Sequence, residues 1–194
     1  MPEPFLALFF GAARFVGGNV KKASVIGLGS IAHGDLGGGC YLIDALLQEP
    51  LGEAVEVSYL AEASFYAGAI MCGAEFGIIV QAVSMGGPPG KIWCWDKITF
   101  EQNFNWLCDQ CWTMSYLVDG FARAGLSGIF PDDLMFLWIE PKVADGIGIS
   151  PEMSKALRKT IKMIKGSLFR KGFLPESAFR LSSIHHLEVL GATV

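Results

Sequence analysis

The sequence predicts an α/β fold: three layers, α/β/α, around a mainly parallel, doubly wound central sheet. Three observations predict it. Short β-rich runs alternate with helical patterns from Lys22 onward. Two of those runs, "GIIVQAV" (Gly77–Val83) and "DLMFLWIE" (Asp133–Glu140), are continuously apolar, the signature of strands covered on both faces. No repeat and no linker interrupts the pattern, so residues 1–194 are expected to form one domain. That domain divides into an apolar N-terminal extension (1–22), a core (23–166) and a C-terminal tail of uncertain structure (167–194).

In order, Ala23–Leu28 is the expected first strand, and Gly38–Leu47 the first helix. Ala54–Leu60 alternates like a strand, and Ser64–Cys72 suits a short helix. Gly77–Val83 is the expected central strand. The loop "SMGGPPG" and a strand over Lys91–Asp96 follow. One helix is expected over Asp109–Ala124 and a buried strand over Asp133–Glu140. The last helix has a full set of end signals: Ser150 as N-cap, Pro151 at the first position, Lys165 near the end and Gly166 as the stop.

Composition narrows the function. The chain is 52% hydrophobic, 18% charged and carries a net charge of −4, which excludes a disordered chain and argues against nucleic acid, since phosphate contacts need clustered Lys and Arg. The basic stretch Lys155–Lys171 is expected to be a solvated helix face. The apolar opening, with Phe5, Phe9, Phe10 and Phe15, carries Glu3 and Arg14 and fits neither a signal peptide nor a membrane span of about 20 apolar residues. A cytoplasmic protein is expected, with its five cysteines as free thiols.

Sheets of this kind bind ligands at the carboxyl ends of their strands, where strand order reverses. The stretch "SVIGLGSIAHGDLGGGC" lies at the end of the first strand and Gln81 near the end of the central one. Gly27, Gly29 and Gly34 miss the G-x-G-x-x-G spacing of a dinucleotide loop, and no acid closes the second strand to hold a ribose. Cys108 and Cys111 form a CxxC, a possible redox pair or half a metal site; buried inert thiols on a helix are the plainer expectation. His185 and His186 are adjacent, and since neighbours on a helix or strand point apart, a poor chelating pair is expected. Ser30 lacks a nucleophile-elbow setting.

Taken together, four stretches resemble the [NiFe]-hydrogenase maturation endopeptidase family. "GLGSIAHGDLGGG" matches its opening motif at Gly27, Gly29, Asp35 and Gly39; "IIVQAV" matches its central strand at Ala82. "GGPPGK" and "DGIGISP" match its later loop and its last helix start. The resemblance covers about Ala23 to Gly166. It implies the hydrogenase maturation protease-like (phosphorylase/hydrolase-like) fold and a cytoplasmic protein that binds a hydrogenase large subunit loaded with its nickel–iron centre. Such proteases then remove a short C-terminal peptide.

It further implies a pocket built from an acid in the first loop, an aspartate on the central strand and a histidine opening a later helix. Here the equivalent positions are Asp35 and Leu36, Gln81 and Thr113, and the motif's asparagine is Ser30. Leucine has no donor atom and glutamine only a neutral one, so this donor set suits a divalent cation poorly. No metal and no cofactor of its own are expected, nickel entering only through a partner, and no catalytic residue is assigned. The leading expectation is a protein that keeps the binding surface for a hydrogenase-type large subunit without metal-dependent cleavage, as an assembly factor or complex subunit. The alternatives are an active C-terminal processing peptidase with a rewired site, in which Cys108 and Cys111 replace the missing histidine, and a small-molecule-binding α/β domain.

Overall fold

A computed structural model describes residues 22–180; the phenylalanines of the N-terminal extension and the histidine pair lie outside them. Five strands form one sheet in the order β2-β1-β3-β5-β4. They are β1 (Ala23–Gly27), β2 (Val55–Tyr59), β3 (Phe76–Ala82), β4 (Ile92–Asp96) and β5 (Asp133–Ile139). The pairings β1–β2, β1–β3 and β3–β5 are parallel; only the edge strand β4 runs antiparallel to β5. From β1 the chain winds outward to β2 and then back past β1 to β3, so strand order reverses between β1 and β3. The carboxyl ends of those two strands are therefore the expected ligand crevice.

Side-chain alternation along the strands builds two cores. Val25, Ile78, Val80, Leu137 and Ile139 face α1 (Gly38–Leu47), α5 (Pro151–Arg170) and α6 (Glu176–Arg180). Ile26, Ile79, Phe136 and Trp138 face α2 (Ala67–Met71), α3 (Lys97–Gln110) and α4 (Thr113–Gly125). This is the three-layer α/β/α arrangement the sequence predicts. Gln81 falls on the Ile79 side of β3, which aims it at α3 and α4.

Four expectations are corrected. The helix expected over Asp109–Ala124 is two helices, α3 and α4, broken at Cys111 and Trp112. The start of α3 carries a signal the sequence reading missed: the Asp96 side chain accepts a bond from Thr99 N at 2.8 Å, an N-cap. The last helix does not stop at Gly166 but continues to Arg170, and the segment beyond it places Phe173, Leu174 and Ala178 in the core. Finally, the basic stretch is not uniformly solvated. Lys155, Lys159 and Lys162 are exposed, whereas Lys165 is buried and its ammonium meets Glu49 at 2.5 Å. The N-cap at Ser150, with Pro151 at the first helical position, stands as expected: Ser150 Oγ accepts from Met153 N at 3.1 Å. Among the described residues no helix is long and apolar enough to cross a membrane.

Candidate functional site

The loop after β1 is packed too tightly to cradle a phosphate. A Cβ on Gly27 would lie 2.3 Å from the Gly39 carbonyl oxygen, and one on Gly29 would lie 1.9 Å from that of Leu36. Gly27 thus lets β1 touch α1 directly, and Gly29 lets the loop close on the 3-10 turn Gly34–Gly37. Amides of two of the loop's glycines are also taken: Gly29 N donates to Ala61 O (2.8 Å) and Gly34 N to Gly146 O (2.6 Å). Tyr59, at the end of β2, closes the loop by donating its hydroxyl to Gly29 O at 2.8 Å. Burial, then neighbouring Cys40, holds the Tyr59 phenol up at about 12.

Asp35 sits in the short 3-10 turn Gly34–Gly37 and is fully buried. Neither that turn nor α1 has a side-chain cap. The Asp35 carboxylate instead accepts four bonds from the far end of the chain: Lys142 N (2.8 Å), Val143 N (3.2 Å), Ser150 N (2.6 Å) and Ser150 Oγ (2.7 Å). Because Ser150 Oγ also accepts from Met153 N, the chain Asp35–Ser150–Met153 ties the first loop to the start of α5. Two stretches of the resemblance, the glycine loop and the "GIGISP" run, thereby meet in space. Leu36, next in sequence, is half-buried and packs against the α1/α5 core.

Gln81 is the other feature of this end of the sheet. It is 5% exposed, and its Nε2 donates to Thr113 Oγ1 (3.0 Å) and Cys111 Sγ (3.2 Å). Cys111 Sγ and Thr113 Oγ1 lie 3.1 Å apart and complete a triangle. The structure thus brings Gln81, Thr113 and Cys111 together, while Asp35 is engaged elsewhere. Gln81 Oε1 is buried with no hydrogen-bond partner among the described residues, the kind of orphan acceptor that costs about 1–3 kcal/mol. Cys108, one helical turn before Cys111, is half-buried. Burial, then the charges of Asp109 and Cys111, pushes its thiol above the usual range.

A third buried polar group was not singled out from the sequence. Glu140, after β5, accepts from Met85 N (2.9 Å) and Gly87 N (3.1 Å), and so fixes the "SMGGPPG" loop. A buried acid directly after an apolar strand was the available signal. The four tryptophans between residues 93 and 112 divide in two. Trp93 and Trp95 pack on the α3/α4 core, whereas Trp106 and Trp112 are exposed.

The donor set does not fit a divalent cation. Asp35 has spent its oxygens on the four bonds above, Leu36 has none to offer, and Gln81 and Thr113 are neutral. Among the described residues no cluster of three His, Cys, Asp or Glu side chains is placed to hold a metal ion.

These features define a class: a doubly wound α/β/α domain with two buried polar clusters where its strand order reverses. No protein-family model matches the sequence, and no curated protein matches it. Solved structures do match. The hydrogenase maturating endopeptidase HybD from Escherichia coli superposes with a TM-score of 0.69 at 20% identity, over 78% of this chain and 94% of that one. Another endopeptidase from Escherichia coli gives 0.70 at 22% identity, covering 80% and 98%. The [NiFe] hydrogenase maturation protease HybD from Thermococcus kodakarensis gives 0.64 at 17% identity, covering 75% and 98%. The chain has the hydrogenase maturation endopeptidase fold, as the motif resemblance implied.

Proposed function

We propose that this chain binds a [NiFe]-hydrogenase-type large subunit and does not cleave it through a metal held by its own residues, acting as an assembly factor or a resident subunit. One observation carries the reading. At the positions where the resemblance calls for an aspartate and a histidine, Gln81 and Thr113 are hydrogen-bonded to each other, and Cys111 closes the triangle. A neutral triangle of this kind lacks the anionic charge that holds a borderline divalent cation. The acid that remains, Asp35, is saturated by backbone amides and a serine. The exposed rings of Trp112 and Tyr116 beside the triangle suit a protein contact, since such rings are enriched in interface cores.

The test is incubation with a nickel-loaded large-subunit precursor, scored for complex formation by gel filtration and for C-terminal trimming by mass. Complex formation without trimming is expected. Trimming overturns the non-cleaving reading, and failure to bind overturns the partner.

One observation favours a second reading, the rewired peptidase: Cys111 places a partly accessible sulfur on Gln81 and Thr113. That reading expects trimming that is lost in Cys111→Ser. The small-molecule alternative gains no comparable support at this crevice. The described cavity of about 620 Å³, lined by Phe76, Trp95, Asp133 and Arg170 among others, lies at the opposite end, where β3 and β5 begin.

A further inference from the structure

The binding reading uses Cys111 only as a corner of the neutral triangle and Cys108 not at all, yet the structure gives the CxxC pair a particular setting. Cys108 lies in the last turn of α3, and Cys111 is the residue where that helix ends. Cys111 N still donates to Leu107 O at 2.9 Å, so helical geometry persists up to its Cα. A separation of three helical residues puts the two Cα atoms about 5 Å apart, inside the range of roughly 4.4–6.8 Å that a disulfide spans. Beyond that point the backbone leaves the helix, with φ −148° and ψ 111° at Cys111. This turns the Cys111 thiol toward Gln81 and Thr113. Only Cys111 and Trp112 separate α3 from α4. Rotation of the Cys111 side chain about its Cα–Cβ bond moves the sulfur off Gln81 and Thr113 without moving either helix body.

We propose that Cys108 and Cys111 form a dithiol that a small-molecule disulfide oxidises to an intrachain bond. Closing that bond withdraws Cys111 from Gln81 and Thr113, opening the triangle at the switch point. Cys111 is the attacking sulfur. The Gln81 amide donates to it and fixes where that sulfur sits. Its thiolate attacks one sulfur of the small disulfide, that S–S bond breaks, and one small thiol leaves, taking up the proton that Cys111 released. The Cys108 thiolate then attacks the Cys111 sulfur of the mixed disulfide. The intrachain bond forms and the second small thiol departs with the Cys108 proton. Two cysteines lose two electrons in total and one small disulfide gains them. Cys108, partly buried and with its thiol held up by burial, suits the resolving role better than the attacking one.

This inference is independent of the partner reading. Its test is equilibration of the full chain across a series of glutathione/glutathione disulfide ratios, acid quench, alkylation and peptide mass mapping. The peptide holding Cys108 and Cys111 is expected to lose two hydrogens and both alkylation sites as the ratio becomes oxidising, while exposed Cys94 acquires a glutathione adduct. Cys108→Ser is expected to trap glutathione on Cys111, because the resolving thiol is gone. Full alkylation of both cysteines at ratios that already modify Cys94 overturns the proposal, as does an adduct on Cys108 with Cys111 left free. Far-ultraviolet circular dichroism of the variant establishes that it folds. The wild-type mapping decides the matter even if it does not.

Discussion

Two polar sites stand at the carboxyl ends of adjacent strands, and they are built on opposite principles. After β1, Asp35 is a fully buried acid with four hydrogen bonds from backbone and serine donors. On β3, Gln81 is a buried neutral amide whose Nε2 has two partners and whose Oε1 has none among the described residues. The first is saturated and holds two distant segments together; the second is incompletely paired. An acid that matches a chemical motif can thus be occupied entirely by architecture, while the neutral residue on the adjacent strand keeps unspent bonding capacity. Buried polar groups with capacity left over are where function is best sought.

The sharpest way to break this contrast is Asp35→Ala. It strands three backbone amides and the Ser150 hydroxyl, so a loss of about 3–5 kcal/mol is expected in denaturant unfolding. Asp35→Asn keeps the shape but turns one acceptor into a donor facing amides, and an intermediate loss is expected. If the alanine variant loses under about 1 kcal/mol, the clamp is not what holds the two segments. Ser150→Ala removes both the N-cap and one donor to Asp35, for an expected loss of about 1–2 kcal/mol in the same measurement.

Gln81→Leu tests the other site. It removes an orphan acceptor along with the amide, and Cys111 and Thr113 still bond each other. Stability is expected to change by no more than about 1 kcal/mol in either direction; a loss as large as that of Asp35→Ala would erase the distinction. The smallest effect concerns Tyr59, which closes the first loop. Its phenol is held up to about 12 against an ordinary 10, so the folded state keeps a proton that the unfolded chain gives up. Its contribution is intact below pH 10 and falls away as pH rises toward 12. Ultraviolet titration is expected to show a late tyrosine ionisation near pH 12 that Tyr59→Phe removes.

Much of the scaffold was legible in sequence because its signals are local. Helix α1 is found at Gly38–Leu47 as expected, and the other strands and the start of α5 fall within a residue of their expected bounds. Apolar periodicity, glycine turns and a serine–proline cap all act within a few residues of themselves. Helix α3 escaped because "KITFEQNFNWLCDQ" has only a weakly apolar face, and the break before α4 has no glycine or proline to announce it. Cys111 turns out of the helix to meet Gln81, 30 residues away.

Residue identity alone determined that Leu36, Gln81 and Thr113 supply neither the carboxylate nor the imidazole that the resembled metal pocket uses, because donor atoms belong to the side chain wherever it lies. Only the tertiary structure decided what the charged residues do. Asp35 meets amides 107 to 115 positions away, and Lys165 is buried against Glu49, 116 positions away. Burying a charge is tolerable only with a partner in place, and partners that distant are brought together by the sheet's winding rather than by any local pattern.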